Sequence, residues 1–165
     1  MGLVADIAQT YRAPRQVIAR RAAQAGSEVQ AIIIVMLGCL MVFIAQWPVH
    51  SRAAFLDPEI PLGGRLTGAG VAWLMIMPIV LYALAAIIHL LLRAIGGKGS
   101  FFTARIALFW ALLASAPLAL LNGLTVGFIG NGPAQLLTSG LLALGFAIFL
   151  GAGILATEFP AKKAK

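Results

Sequence analysis

The stretch AAIIHLLLRAIGGKGSFFTARIALFWALLASAPLALLNG, residues 85–123, holds two apolar runs joined by a short turn that carries Arg93, Gly96, Gly97, Lys98, Gly99 and Arg105. Extended by its neighbours, each run has the length of a membrane-crossing helix, and the turn between them is a cationic hairpin tip. The composition of the whole chain agrees: of 165 residues, 61% are hydrophobic and 10% are charged. A soluble domain carries about a quarter of its residues as charges, so this chain cannot cover its apolar residues with its own polar ones. The expected fold is all-α, a polytopic transmembrane helical bundle. At about 20 residues for each crossing the length allows four spans, with five as the alternative count.

Outward from the turn, the second span is expected over residues 68–93 and the third over 103–121. The second exceeds the bilayer thickness, which predicts tilt or a kink at Pro78. The first span is expected over residues 29–47, with Trp47 marking an interface and Pro48 stopping the helix. Residues 48–66, with three prolines, Gly63 and Gly64, predict an irregular loop holding at most a turn of helix. The last span is expected over residues 134–157, and residues 122–135, rich in glycine, predict a surface turn. A fifth span would need two helices within residues 122–157, where about 40 residues are required.

Residues 1–28 are too charged to cross, yet Leu3, Val4, Ile7, Ala8 and Tyr11, then Val17 and Ile18, recur at helical spacing on either side of Pro14. They predict an N-terminal amphipathic interfacial helix, broken near Pro14, with arginines among anionic headgroups. Residues 158–165 form a basic tail. Ten of the twelve Lys and Arg residues fall in the N-terminal segment, the central turn and the tail. The positive-inside rule then places both termini and that turn in the cytoplasm. The net charge of +7 is spread beside apolar runs rather than in one stripe, which argues against nucleic acid.

Two sets of residues stand out. Ala107, Ala111, Ser115, Ala119, Gly123 and Gly127 repeat small side chains every four residues, as do Ser139, Ala143, Ala147 and Gly151 on the last span. Such rows let helices approach closely in lipid, and the two are expected to face each other. His89 and Arg93, with Lys98 and Arg105 across the turn, are candidates for polar or lipid-headgroup contacts. His89 is expected to be structural, just inside the cytoplasmic edge, and no Asp or Glu within a span offers it an acid. His50, Asp57 and Glu59 lack metal-ligand spacing, GGKGS at residues 96–100 lacks the strand and spacing of a phosphate loop, and Cys39 is a lone apolar-run thiol. No catalytic, cofactor-binding or metal residues are expected.

Residues 89–121 resemble the bacterial branch of the Yip-domain family, polytopic membrane proteins related to the Ypt/Rab-interacting proteins of eukaryotes. The likeness is carried by His89 to Arg93, the Gly96-Gly97-Lys98-Gly99 turn, Arg105, ALFWAL at residues 107–112 and Pro117, with YRAPR at residues 11–15 and AQWP at residues 45–48. The resemblance implies a small helical membrane domain with a cytoplasmic N-terminus. The family usually has five spans, and the eukaryotic Asp-Leu-Tyr-Gly-Pro motif is absent here, so no GTPase-binding residues are carried over.

The functional expectation is a non-enzymatic protein of a bacterial inner membrane, an interaction or packing module that self-associates or joins a larger membrane complex. The alternative is a small oligomeric transporter or channel, for which Asn122, Gln135 and Thr138 must converge on a cavity. A membrane enzyme acting on lipid through His89 needs a partner acid near it.

Overall fold

The computed structural model describes residues 2–24 and 27–159, all helices and turns. In chain order the helices are α1 (Leu3–Thr10), α2 (Pro14–Gln24), α3 (Glu28–Leu56), α4 (Leu62–Gly70), a π-helical segment (Val71–Ile76), α5 (Met77–Ala94), α6 (Phe101–Ala114), α7 (Ala116–Phe128) and α8 (Pro133–Thr157). Three continuous helices, Glu28–Leu56, Leu62–Ala94 and Pro133–Thr157, are long and apolar enough to cross a membrane; the bent pair α6 and α7 makes a fourth if it counts as one span. The fold is an all-α bundle, and its wide belt of exposed Ile, Leu, Val and Phe suits a lipid solvent.

Helix α6, the second arm of the central hairpin, is the hub. Ile106, Ala107, Leu108, Phe109, Trp110 and Ala111 are all buried, because α2, α3, α5 and α8 pack round it. A capping box starts it: the Thr103 N–H donates to Ser100 Oγ at 3.2 Å, and the Ser100 N–H donates to Thr103 Oγ1 at 2.9 Å. It ends because Pro117 has no N–H for the carbonyl one turn back, and α7 leaves at 41°.

Three boundaries differ from the sequence reading. Pro48 does not stop the first span; α3 runs through it to Leu56. The hydrogen bond that proline forfeits is offset by packing, since a Cβ on Gly127 of α7 would lie 2.4 Å from Pro48 Cβ. One turn later Arg52 reaches the carbonyls of Gly127 and Phe128 at 3.4 Å, at the C-terminal end of α7. The connection expected over 48–66 shrinks to residues 57–61, where the Arg65 guanidinium bridges the Asp57 carboxylate at 2.6 Å and the Ile60 carbonyl at 3.0 Å. Within 122–135, residues 122–128 are helical and the turn is residues 129–132, made by Gly130 at φ +93°. Gly123 is helical because it lies against α3, where a Cβ would meet the Ala45 carbonyl oxygen at 1.7 Å.

The N-terminal segment breaks between Thr10 and Pro14, and both halves belong to the bundle. Val17 and Ile18 are fully buried in the same core as Trp110, so α2 packs against α6 and α8 as well as presenting an outer face. Of the tail expected over 158–165, residues 160–165 lie outside the described residues.

Candidate functional site

The central turn is built round a carboxylate. Gly96 takes φ +96°, a backbone that side chains resist, and lets the Gly97 N–H return to the Leu92 carbonyl at 2.8 Å. The Lys98 N–H then donates to the Glu158 carbonyl at 2.8 Å, and the Gly99 N–H donates to Glu158 Oε2 at 3.0 Å. The other carboxylate oxygen lies 2.9 Å from His89 Nδ1, with the His89 ring 4.4 Å from that of Phe101. Both partners are out of solvent, His89 at 1% and Glu158 at 0% exposure. A Cβ on Gly99 would lie 2.5 Å from the Glu158 carboxyl carbon. The glycines at 97 and 99 therefore leave room for an acid, not for an external anion. The arrangement clasps the end of α8 to the α5–α6 turn.

Glu158 is the acid that the sequence reading did not supply. It stands one residue beyond the last expected span, within the expected basic tail, and lies 69 positions from His89. The available signal was its place as the only acid after Glu59, at the end of an apolar helix on the side where the positive-inside rule puts His89. The four candidate polar residues do not form one headgroup site. His89 is inside the clasp, and Arg105 holds Glu28 at 2.6 and 2.7 Å while its guanidinium lies 5.4 Å from the centre of the Tyr82 ring. Arg93 and Lys98 are exposed.

A second polar cluster welds the N-terminal hairpin to the hub. The buried Asp6 carboxylate pairs with both Arg20 and Arg21. Thr10 Oγ1 donates to the Asp6 carbonyl at 2.7 Å and accepts from Trp110 Nε1 at 3.0 Å. The Arg21 guanidinium lies 4.7 Å above the Trp110 ring, a cation–π contact. Tyr11 donates its hydroxyl to the Ala114 carbonyl at 3.0 Å and meets Phe149 edge-on at 5.0 Å. Burial pushes the Tyr11 phenol above its ordinary pKa, which keeps it a donor.

The two small-residue rows part company. Ala107, Ala111, Ser115, Ala119 and Gly123 are buried, but the lower half of the row meets α3, through Gly123 on Ala45 and Gly127 on Pro48, rather than the row on α8. On α8 the inward residues are Gly145, Phe149 and Gly153, with Gly153 opposite Ala107. Ala143 and Ala147 are exposed, Ser139 and Gly151 half-buried, and Gly140 and Gly151 have open space where a side chain would stand. The expectation that the rows face each other is thus corrected: bulkier Phe149 fixes the rotation of α8 by filling the core, and turns Ala143 and Ala147 out.

Between α3, α7 and α8 lies an open groove of about 490 Å³, whose apolar wall is interrupted by Gln46, Ser115 and Asn122. Thr138 and Ser139 each donate to Asn122 Oδ1 at 2.9 Å. Asn122 and Thr138 come together, but of the three expected residues only Asn122 lines the groove. Asp57 is taken by Arg65, and among the described residues no group of three His, Cys, Asp or Glu is placed to hold a metal. Comparison of the chain with protein-family models, with curated proteins and with solved structures finds no match.

Proposed function

We propose that this is a non-enzymatic integral protein of a bacterial inner membrane, of the Yip-like kind, that works as a packing module for another membrane helix, either in a second copy or in a larger complex. The observation that carries this reading is the outward row on α8. Gly140, Ala143, Ala147 and Gly151 offer a flat lane beside large exposed leucines, and the bundle makes no use of it. In lipid, helix association draws on close backbone approach, which such a lane permits. The clasp at Glu158 and the Tyr11 ring on Phe149 hold α8 in a fixed rotation, so the lane is presented rigidly rather than by a loose helix. Both termini and the central turn lie in the cytoplasm in this reading, with Arg93 and Lys98 beside anionic headgroups.

The test is cross-linking in native membranes. In a Cys39→Ser background, Ala147→Cys is expected to form a specific adduct and Gly145→Cys, on the inner face, none. Gly151→Ile should abolish the adduct without changing the unfolding temperature of the purified chain. Equal, weak labelling from both positions would defeat the proposal. The transporter alternative rests on the groove, but three polar side chains in an apolar wall are poor solvation for a hydrated ion.

A further inference from the structure

The groove between α3, α7 and α8 differs from the rest of the lipid-facing surface in holding amides without partners. Asn122 spends its carbonyl oxygen on two hydroxyls of α8, Thr138 and Ser139, each at 2.9 Å. That leaves its NH₂ as a donor on the groove wall. Gln46 lines the same groove from α3. Among the described residues, neither amide nitrogen has an intramolecular acceptor. A carboxamide donor in an apolar wall is unfavourable unless it is paired, so the groove selects for an acceptor.

We propose that the groove binds one diacyl phospholipid, with an acyl chain along the wall and an ester carbonyl accepting from the amides of Asn122 and Gln46. Depth supports the ester. Gln46 adjoins Trp47, an exposed indole of the kind that sits at the headgroup level, and Arg52 follows farther along α3. Ester carbonyls of diacyl lipids lie at that same boundary, just above the chains. Shape supports the chain. The volume of about 490 Å³ arises where Ala45, Ala119 and Gly123 keep the floor shallow, while Leu142 and Phe146 wall it. Apart from its few polar side chains the wall is apolar, which suits an acyl chain. The wall offers an ion only one hydroxyl and two amides. This inference does not depend on the lane of α8 being an interface: the two share Ala143, but Gly140, Ala147 and Gly151 do not line the groove.

The experiment is native mass spectrometry of the protein purified in mild detergent and titrated with chain-matched diester and diether phosphatidylethanolamine. The wild type is expected to retain one diester lipid with about a tenfold preference over the diether, the scale of one lost hydrogen bond. Gln46→Leu, which leaves only the Asn122 donor, should clearly reduce that preference. Val42→Trp, which fills the groove, should remove retention of either lipid. Equal retention of diester and diether by the wild type would overturn the proposal, as would retention undiminished by Val42→Trp, or no lipid retained at any ratio. Should Val42→Trp fail to fold, Gln46→Leu still decides, because among the described residues the Gln46 side chain holds no hydrogen bond that the bundle would lose.

Discussion

Glu158 is tolerated at zero exposure because each of its carboxylate oxygens is occupied, one by His89 and the other by the Gly99 N–H. Removing one side of such a pair leaves the other buried without compensation, at a cost of about 3–5 kcal/mol. Glu158→Ala and His89→Ala are each expected to lower the unfolding temperature in detergent by roughly 2–4 °C for each kcal/mol lost. The double variant should lose clearly less than the sum; strict additivity in the cycle would show that the two side chains do not interact. Gly99→Ala belongs to the same scale. Its methyl would stand 2.5 Å from the carboxyl carbon, so the clasp must open, and a loss of about 1–3 kcal/mol is expected. Gly140→Ala, with open space around it, serves as the neutral control in the same melt.

At the scale of the element, close approach of α3 and α7 turns on Gly123. A Cβ there would lie 1.7 Å from the Ala45 carbonyl oxygen, which no rotamer relieves, so Gly123→Ala should destabilise by several kcal/mol whereas Gly151→Ala should not. The N-terminal hairpin is held by one acid: Asp6→Asn removes the charge that pairs with Arg20 and Arg21, and trypsin should then cut at Arg12 or Arg15 markedly faster than in the wild type. Unchanged cleavage would mean that Val17 and Ile18 alone keep the hairpin docked. These elements also show what the sequence could disclose. Hydropathy located the crossings, because apolar length is a local property. Pro48, Gly123 and Gly127 misled as breakers, because their conformation is decided by the helix packed against them. The row on α8 was visible as spacing, but its rotation is set by Phe149 in the core, which the spacing does not encode.

For the whole molecule, charge asymmetry predicts a threading that labelling can check. In a Cys39→Ser background, Lys98→Cys should react with an impermeant reagent only from the cytoplasmic side and Asp57→Cys only from the outside; the reverse would overturn the orientation. Class and approximate spans were legible because the solvent dictates them. The His89–Glu158 clasp was not, because it joins residues 69 positions apart through a turn whose glycines read equally well as a flexible tip. The π-helical segment Val71–Ile76 carries a further consequence for the molecule as a whole. A π turn holds a residue more than an α turn, so in register terms it is an insertion accommodated without a loop, just ahead of Pro78. Deleting one residue there would return the helix to α geometry and shift the side chains within the segment, while α4 and α5 keep nearly the same relative orientation. Trp73 lies inside that segment and forms part of the groove wall. The aim of its indole is thus a matter of reading frame along the helix, and a single-residue deletion should redirect it while leaving Leu81, Ala85 and His89 in place.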